Sequence, residues 1–64
     1  ESYMNLVESY RTKVKILIHL DQISEALTIM TAAHNLAALH IAQELAREII
    51  EDTAQLIQKK LKKS

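Results

Sequence analysis

The chain has 64 residues, eight Lys or Arg balanced by eight Asp or Glu, and no Gly, Pro or Cys. At average usage, lacking both Gly and Pro has a likelihood of roughly one in a few thousand. These residues punctuate loops, so almost the whole chain is expected to be helix with very short connections. The balanced charge argues for neither nucleic acid nor a membrane surface, and the missing Cys excludes disulfide staples and thiolate zinc sites.

The first predicted helix covers residues 2–19. Its apolar positions Tyr3, Val7, Tyr10, Val14 and Leu17 recur at four, three, four and three residues, with Leu6 and Ile18 alongside. That spacing follows the 3.6-residue turn. The run Val14–Ile18 is rich in β-branched residues, but no hairpin turn accompanies it, so helix is preferred. The next position on the stripe is Asp21, and the seam ends there.

A second stripe, Leu20, Ile23, Leu27 and Met30, is rotated away from the first, with Ala26 and Ala33 beside it. The abrupt rotation predicts a turn, with Asp21 as N-cap and Ser24 as a second candidate, because a short oxygen-bearing side chain accepts the free N–H groups of a first turn. This helix is placed at 22–33.

The third stripe is the cleanest: Leu39, Ala42, Ala46, Ile49, Thr53 and Leu56, flanked by Leu45, Ile50, Ile57 and Leu61. Its opposite face carries His40, Glu44, Arg47, Glu48 and Glu51. Asn35 is the natural break, since Asn tolerates the left-handed conformation and also caps helices. The third helix then spans 36–62, and Lys59, Lys60, Lys62 and Lys63 complement the dipole at its C-terminus. A continuous second helix over 22–62, giving a two-helix hairpin, is the alternative. The fold class expected is therefore all-α, a short bundle of three helices or a two-helix hairpin, forming one small module over 1–64. The opening Glu-Ser-Tyr, without an initiator Met, suggests a fragment of a larger protein.

The lengths carry the functional expectation. At 1.5 Å per residue the third helix would be roughly 40 Å long and the second roughly 18 Å. Part of the third stripe would remain in water, although burying each such side chain is worth about 1.5–3 kcal/mol. This predicts completion by oligomerisation. The interface residues expected are Leu45, Ile49, Leu56, Ile57 and Leu61, with Tyr3, Val7 and Tyr10 as a second surface. The alanines Ala26, Ala33, Ala37, Ala38, Ala42 and Ala46 are expected where helix axes approach closely.

The sequence holds no Gly-rich phosphate loop, His-Glu-x-x-His or EF-hand loop. The Glu-x-x-His pairs of di-iron bundles are missing too. His40, Glu44 and Glu48 fall at i, i+4 and i+8, a spacing able to supply metal ligands from one helical face. A solvated face with i, i+4 support explains the same spacing and is the reading adopted, so no metal, cofactor, small-molecule substrate or catalytic residue is assigned. His34 prolongs the second stripe, where a titrating imidazole would act as an interface switch; a helix-end packing residue is preferred. The terminal lysines form a small footprint with no aromatic neighbour for base stacking, which disfavours nucleic acid. The longest apolar run, Leu36–Leu39, is far short of the ~20 residues of a membrane span.

Residues Val14–Leu20, Ile23–Leu27, the His34-Asn35 turn position and Leu36–Ala42 together resemble the α-solenoid repeats of TPR-like and vesicle-coat or ciliary-transport scaffolds. The resemblance covers a little over half the chain. It implies a scaffold segment contacting protein partners, although the turn glycine, terminal proline and aromatic anchors of such repeats are missing. A solenoid also needs about three repeats to stand alone, and about one and a half fit here.

The functional expectation is thus a non-enzymatic protein–protein interaction or oligomerisation module acting through aliphatic helix faces, with self-association foremost. A solenoid scaffold fragment is the first alternative. A metal-binding or enzymatic bundle assembled across subunits is the second. The lack of Cys points to an intracellular, cytoplasmic setting.

Overall fold

Ser2 lies in extended conformation (φ −90°, ψ 150°), and its hydroxyl accepts the Asn5 N–H at 3.2 Å. That bond satisfies one of the orphan donors of a helix start. In the computed structural model, which describes residues 2–62, this cap opens α1, Tyr3–His19. Two further helices follow, α2 over Ile23–His40 and α3 over Gln43–Lys62. The described residues contain no strand. The all-α, three-helix expectation holds, and the two-helix alternative does not. Lys63 of the basic run lies outside the described residues.

The α1–α2 connection occurs where the sequence places it, by a different device. Asp21 has φ 65°, in the left-handed region. Its N–H donates to the Ile18 carbonyl at 3.0 Å, and the Gln22 N–H donates to the Leu17 carbonyl at 2.8 Å. These two bonds define a Schellman closure, with Asp21 in the position usually held by Gly. Asp21 therefore ends α1 and does not cap α2. The N-cap of α2 is Gln22, whose side chain makes no capping bond.

The second connection is displaced from the expected site. α2 runs unbroken through Thr31–Asn35 and ends at His40. Tertiary support explains the persistence: Ala33 and Ala37, on either side of Asn35, are fully buried. The Thr28 and Thr31 hydroxyls turn back onto the carbonyls four residues earlier, at 3.2 and 2.9 Å, so neither competes for a turn. Asn35 points its amide oxygen at His34 Nδ1, 3.3 Å away, and caps nothing. The chain breaks at Ile41 (φ −125°, ψ −80°), where the N–H groups of Ile41 and Ala42 both donate to the Ala37 carbonyl at 2.9 Å. Ala42 then takes the N-cap position of α3, its carbonyl accepting the Ala46 N–H at 3.2 Å.

This shift equalises the helices. With 17, 18 and 20 residues they are roughly 26, 27 and 30 Å long, so the large overhang expected of the third helix does not arise. α2 packs against both neighbours, and α1 meets α3 over the smallest contact. One core cluster joins Val7, Ala33, Ala37, Ala46 and Ile49; the other joins Val14, Ile18 and Ala26. Four of the expected close-approach alanines, Ala26, Ala33, Ala37 and Ala46, are at most 1% exposed. Ala38 is half-buried and Ala42 is exposed in the connection.

Polar contacts fix α3 against α1. Arg11 Nη2 and Asp52 Oδ2 form an ion pair at 2.6 Å, and Lys60 Nζ donates to the His19 carbonyl at 2.9 Å. The latter places a cation at the carbonyl-rich end of α1. Buried Thr53 is satisfied by donating to the Ile49 carbonyl at 2.9 Å.

Candidate interaction surfaces

The eight residues expected at an interface separate into three groups. Val7 and Ile49, at 0% and 2% exposure, are filled inward among the alanines. Their place is the chain's own core, a consequence of the later break, which folds the α3 stripe back onto α1 and α2. Tyr10 and Leu45 are half-buried against the first cluster, and Leu56 and Ile57 against the second. Tyr3 and Leu61 are exposed, at 49% and 67%.

Tyr3 has an internal partner. Its ring stacks on that of His40, with centroids 4.1 Å apart and planes inclined by 5°, which ties the start of α1 to the end of α2. His40 thereby ends α2, while Glu44 and Glu48 belong to α3. The single helical face assumed for those three residues does not exist. Among the described residues, no group of three or more His, Asp or Glu is arranged to hold a metal ion.

Surface aliphatics absent from the expected set are the more informative. Ile16, Leu20 and Leu27 are 53%, 57% and 41% exposed, and Leu39 is 78% exposed. Between α1 and α2 lies an open groove of about 380 Å³, lined by Lys13, Ile16 and Leu17 from α1 and Glu25, Thr28 and Ile29 from α2. Leu17 and Ile29 are half-buried and pack on the second core cluster. Ile16 rises at the edge. The sequence did carry a signal for it: at about 100° per residue, Ile16 sits roughly opposite Val14 on the same helix. An apolar residue opposite the buried seam either faces solvent or meets a partner.

Compared with known proteins, the chain matches no family model, no curated protein and no solved structure. No helix of the described residues is long and apolar enough to cross a membrane.

Proposed function

We propose that the chain is a protein–protein interaction module that self-associates through aliphatic helix faces. One contrast carries this reading. Of the nine buried residues among those described, four are alanines and one is Thr53, so Val7, Val14, Ile18 and Ile49 are the buried branched aliphatics, and the Leu and other Ile side chains that pack on the core are only half-buried. Leu and Ile side chains of all three helices meanwhile remain well exposed, from Ile16 on α1 and Leu39 on α2 to Leu61 on α3. A domain of this size buries only about 60% of its unfolded surface, and small folds lacking staples commonly gain the remainder by association. Sedimentation equilibrium, with circular dichroism on the same samples over a wide concentration range, tests the reading. The expected result is a mass that is a multiple of the chain and helicity that rises with concentration. A helical monomer at every concentration refutes it.

The second reading, a segment of an α-solenoid scaffold, draws support from the packing order. Consecutive helices are neighbours and α2 lies against both others, the arrangement a stacked repeat requires. It predicts an isolated chain that is poorly helical until flanking helices are restored.

A further inference from the structure

We propose that the α1–α2 groove is a two-fold interface that takes a second copy of this chain, with Lys13 of each copy facing Glu25 of the other. The inference rests on the self-association reading and assigns it a face. The groove floor is aliphatic, Leu17 and Ile29, with Ile16 at its edge. Lys13 stands on the α1 wall and Glu25 on the α2 wall. Both are exposed, and neither takes part in a hydrogen bond or ion pair among the described residues.

A two-fold axis that runs above the midpoint between two surface groups, parallel to the surface and perpendicular to the line joining them, sets each group opposite the other in the facing copy. Such an axis over the midpoint between Lys13 and Glu25 therefore sets the partner's lysine over Glu25 and the partner's glutamate over Lys13. Both charges are compensated by one operation, as an isologous contact requires. The same operation turns the two aliphatic floors toward each other and sets Ile16 against the partner's α2 wall. Net charge is zero, so no long-range repulsion opposes the approach of two copies. An occupant carrying charge of a single sign would leave either the lysine or the glutamate facing a like charge.

Charge reversal tests the assignment on the full chain by sedimentation equilibrium. Lys13→Glu places four carboxylates at the interface, and Glu25→Lys places four ammonium groups there. Each variant alone is expected to associate about ten- to thirtyfold more weakly than the original chain, the combined effect of turning two modest attractions into repulsions. An equimolar mixture of the two is expected to restore association as a heterodimer, and the doubly reversed chain to restore the homodimer. Restoration by mixing separates a contact between copies from one within a chain, which only the double variant would restore. Circular dichroism of each variant checks that the helices remain formed. An associating chain whose affinity is unchanged by either reversal, or whose variants do not recover on mixing, overturns the groove assignment and leaves the self-association reading standing. A folded monomer overturns both and gives the groove to a different partner.

Discussion

Asp21 decides how α1 ends, because its backbone adopts a conformation that L-residues avoid. With φ at 65°, its Cβ crowds the neighbouring carbonyl, at a cost of roughly 1–2 kcal/mol for an ordinary side chain and less for Asp, which bonds locally. Asp21→Gly removes the crowding but widens the unfolded ensemble, which opposes the gain by about 0.5–1 kcal/mol. The net expectation is a stabilisation of about 0.5 kcal/mol over Asp. Asp21→Ala keeps the Cβ without the short polar side chain that tolerates this conformation, so it should be less stable than the Gly variant by about 1 kcal/mol, the reverse of the order in a helix interior. For a domain of this size that gap corresponds to about 4–8 °C in Tm. Asp21→Asn retains the left-handed tolerance and removes the charge, which separates electrostatics from backbone strain. Thermal and urea melts followed by circular dichroism read the order, at one fixed protein concentration because association shifts Tm by mass action. An Ala variant as stable as the Gly variant refutes the reasoning: position 21 would not be left-handed, and α1 would not close there as described.

Four further outcomes follow from the same structure. Ala42→Ser or Ala42→Asp supplies the oxygen missing at the start of α3 and should raise stability by about 0.5–1 kcal/mol in urea melts. Ile49→Ala opens a cavity in the first core cluster, where Ile49 is 2% exposed, and should cost about 2–5 kcal/mol, a large share of what so small a domain has. A double-mutant cycle on Arg11→Ala and Asp52→Ala should give a coupling of at most about 1 kcal/mol that shrinks with added salt, since the Asp52 side chain is 46% exposed and water screens the pair. Tyr3→Ala should leave α2 and α3 formed and raise amide exchange at the start of α1, where the stack on His40 is lost.

The first helix and its end were legible because one stripe and one interruption coincide there. Val7, Val14 and Ile18 lie on or beside the stripe and are buried, and Asp21 breaks it. The second break was not legible. Asn35 carries a turn signal and Ile41-Ala42 carries none, yet the chain turns at the latter. Local preference at Asn35 is worth only tenths of a kcal/mol against Ala in a helix, whereas breaking there would uncover Ala33 and Ala37, which pack between both neighbouring helices. Propensity yields to packing at such a margin. The error carried into the interface: a helix begun at 36 leaves Ile49 in search of a partner, and a helix begun at Gln43 brings it home. The ion pair between Arg11 and Asp52 was equally hidden, since 41 positions separate the two residues and only the completed bundle makes them neighbours.

The alanine seams and the exposed aliphatic rims are two results of one pattern. Small residues at Ala26, Ala33, Ala37 and Ala46 let helix backbones approach closely, and at close approach the side chains beside the seam are carried to the edges of the contact. There Leu17 and Ile29 are covered on one side only, and Ile16, Leu27 and Ile50 extend past the seam. Larger seam residues would separate the axes, and the flanking side chains would then close over the wider gap. Replacing Ala33 with Leu would overfill the seam as it stands and is expected to destabilise the fold by about 1–3 kcal/mol. The close packing and the open groove therefore cannot be altered independently. A sequence with this seam packs its three helices with little bulk and keeps its aliphatic surface at the rims, where the proposed second copy would cover it.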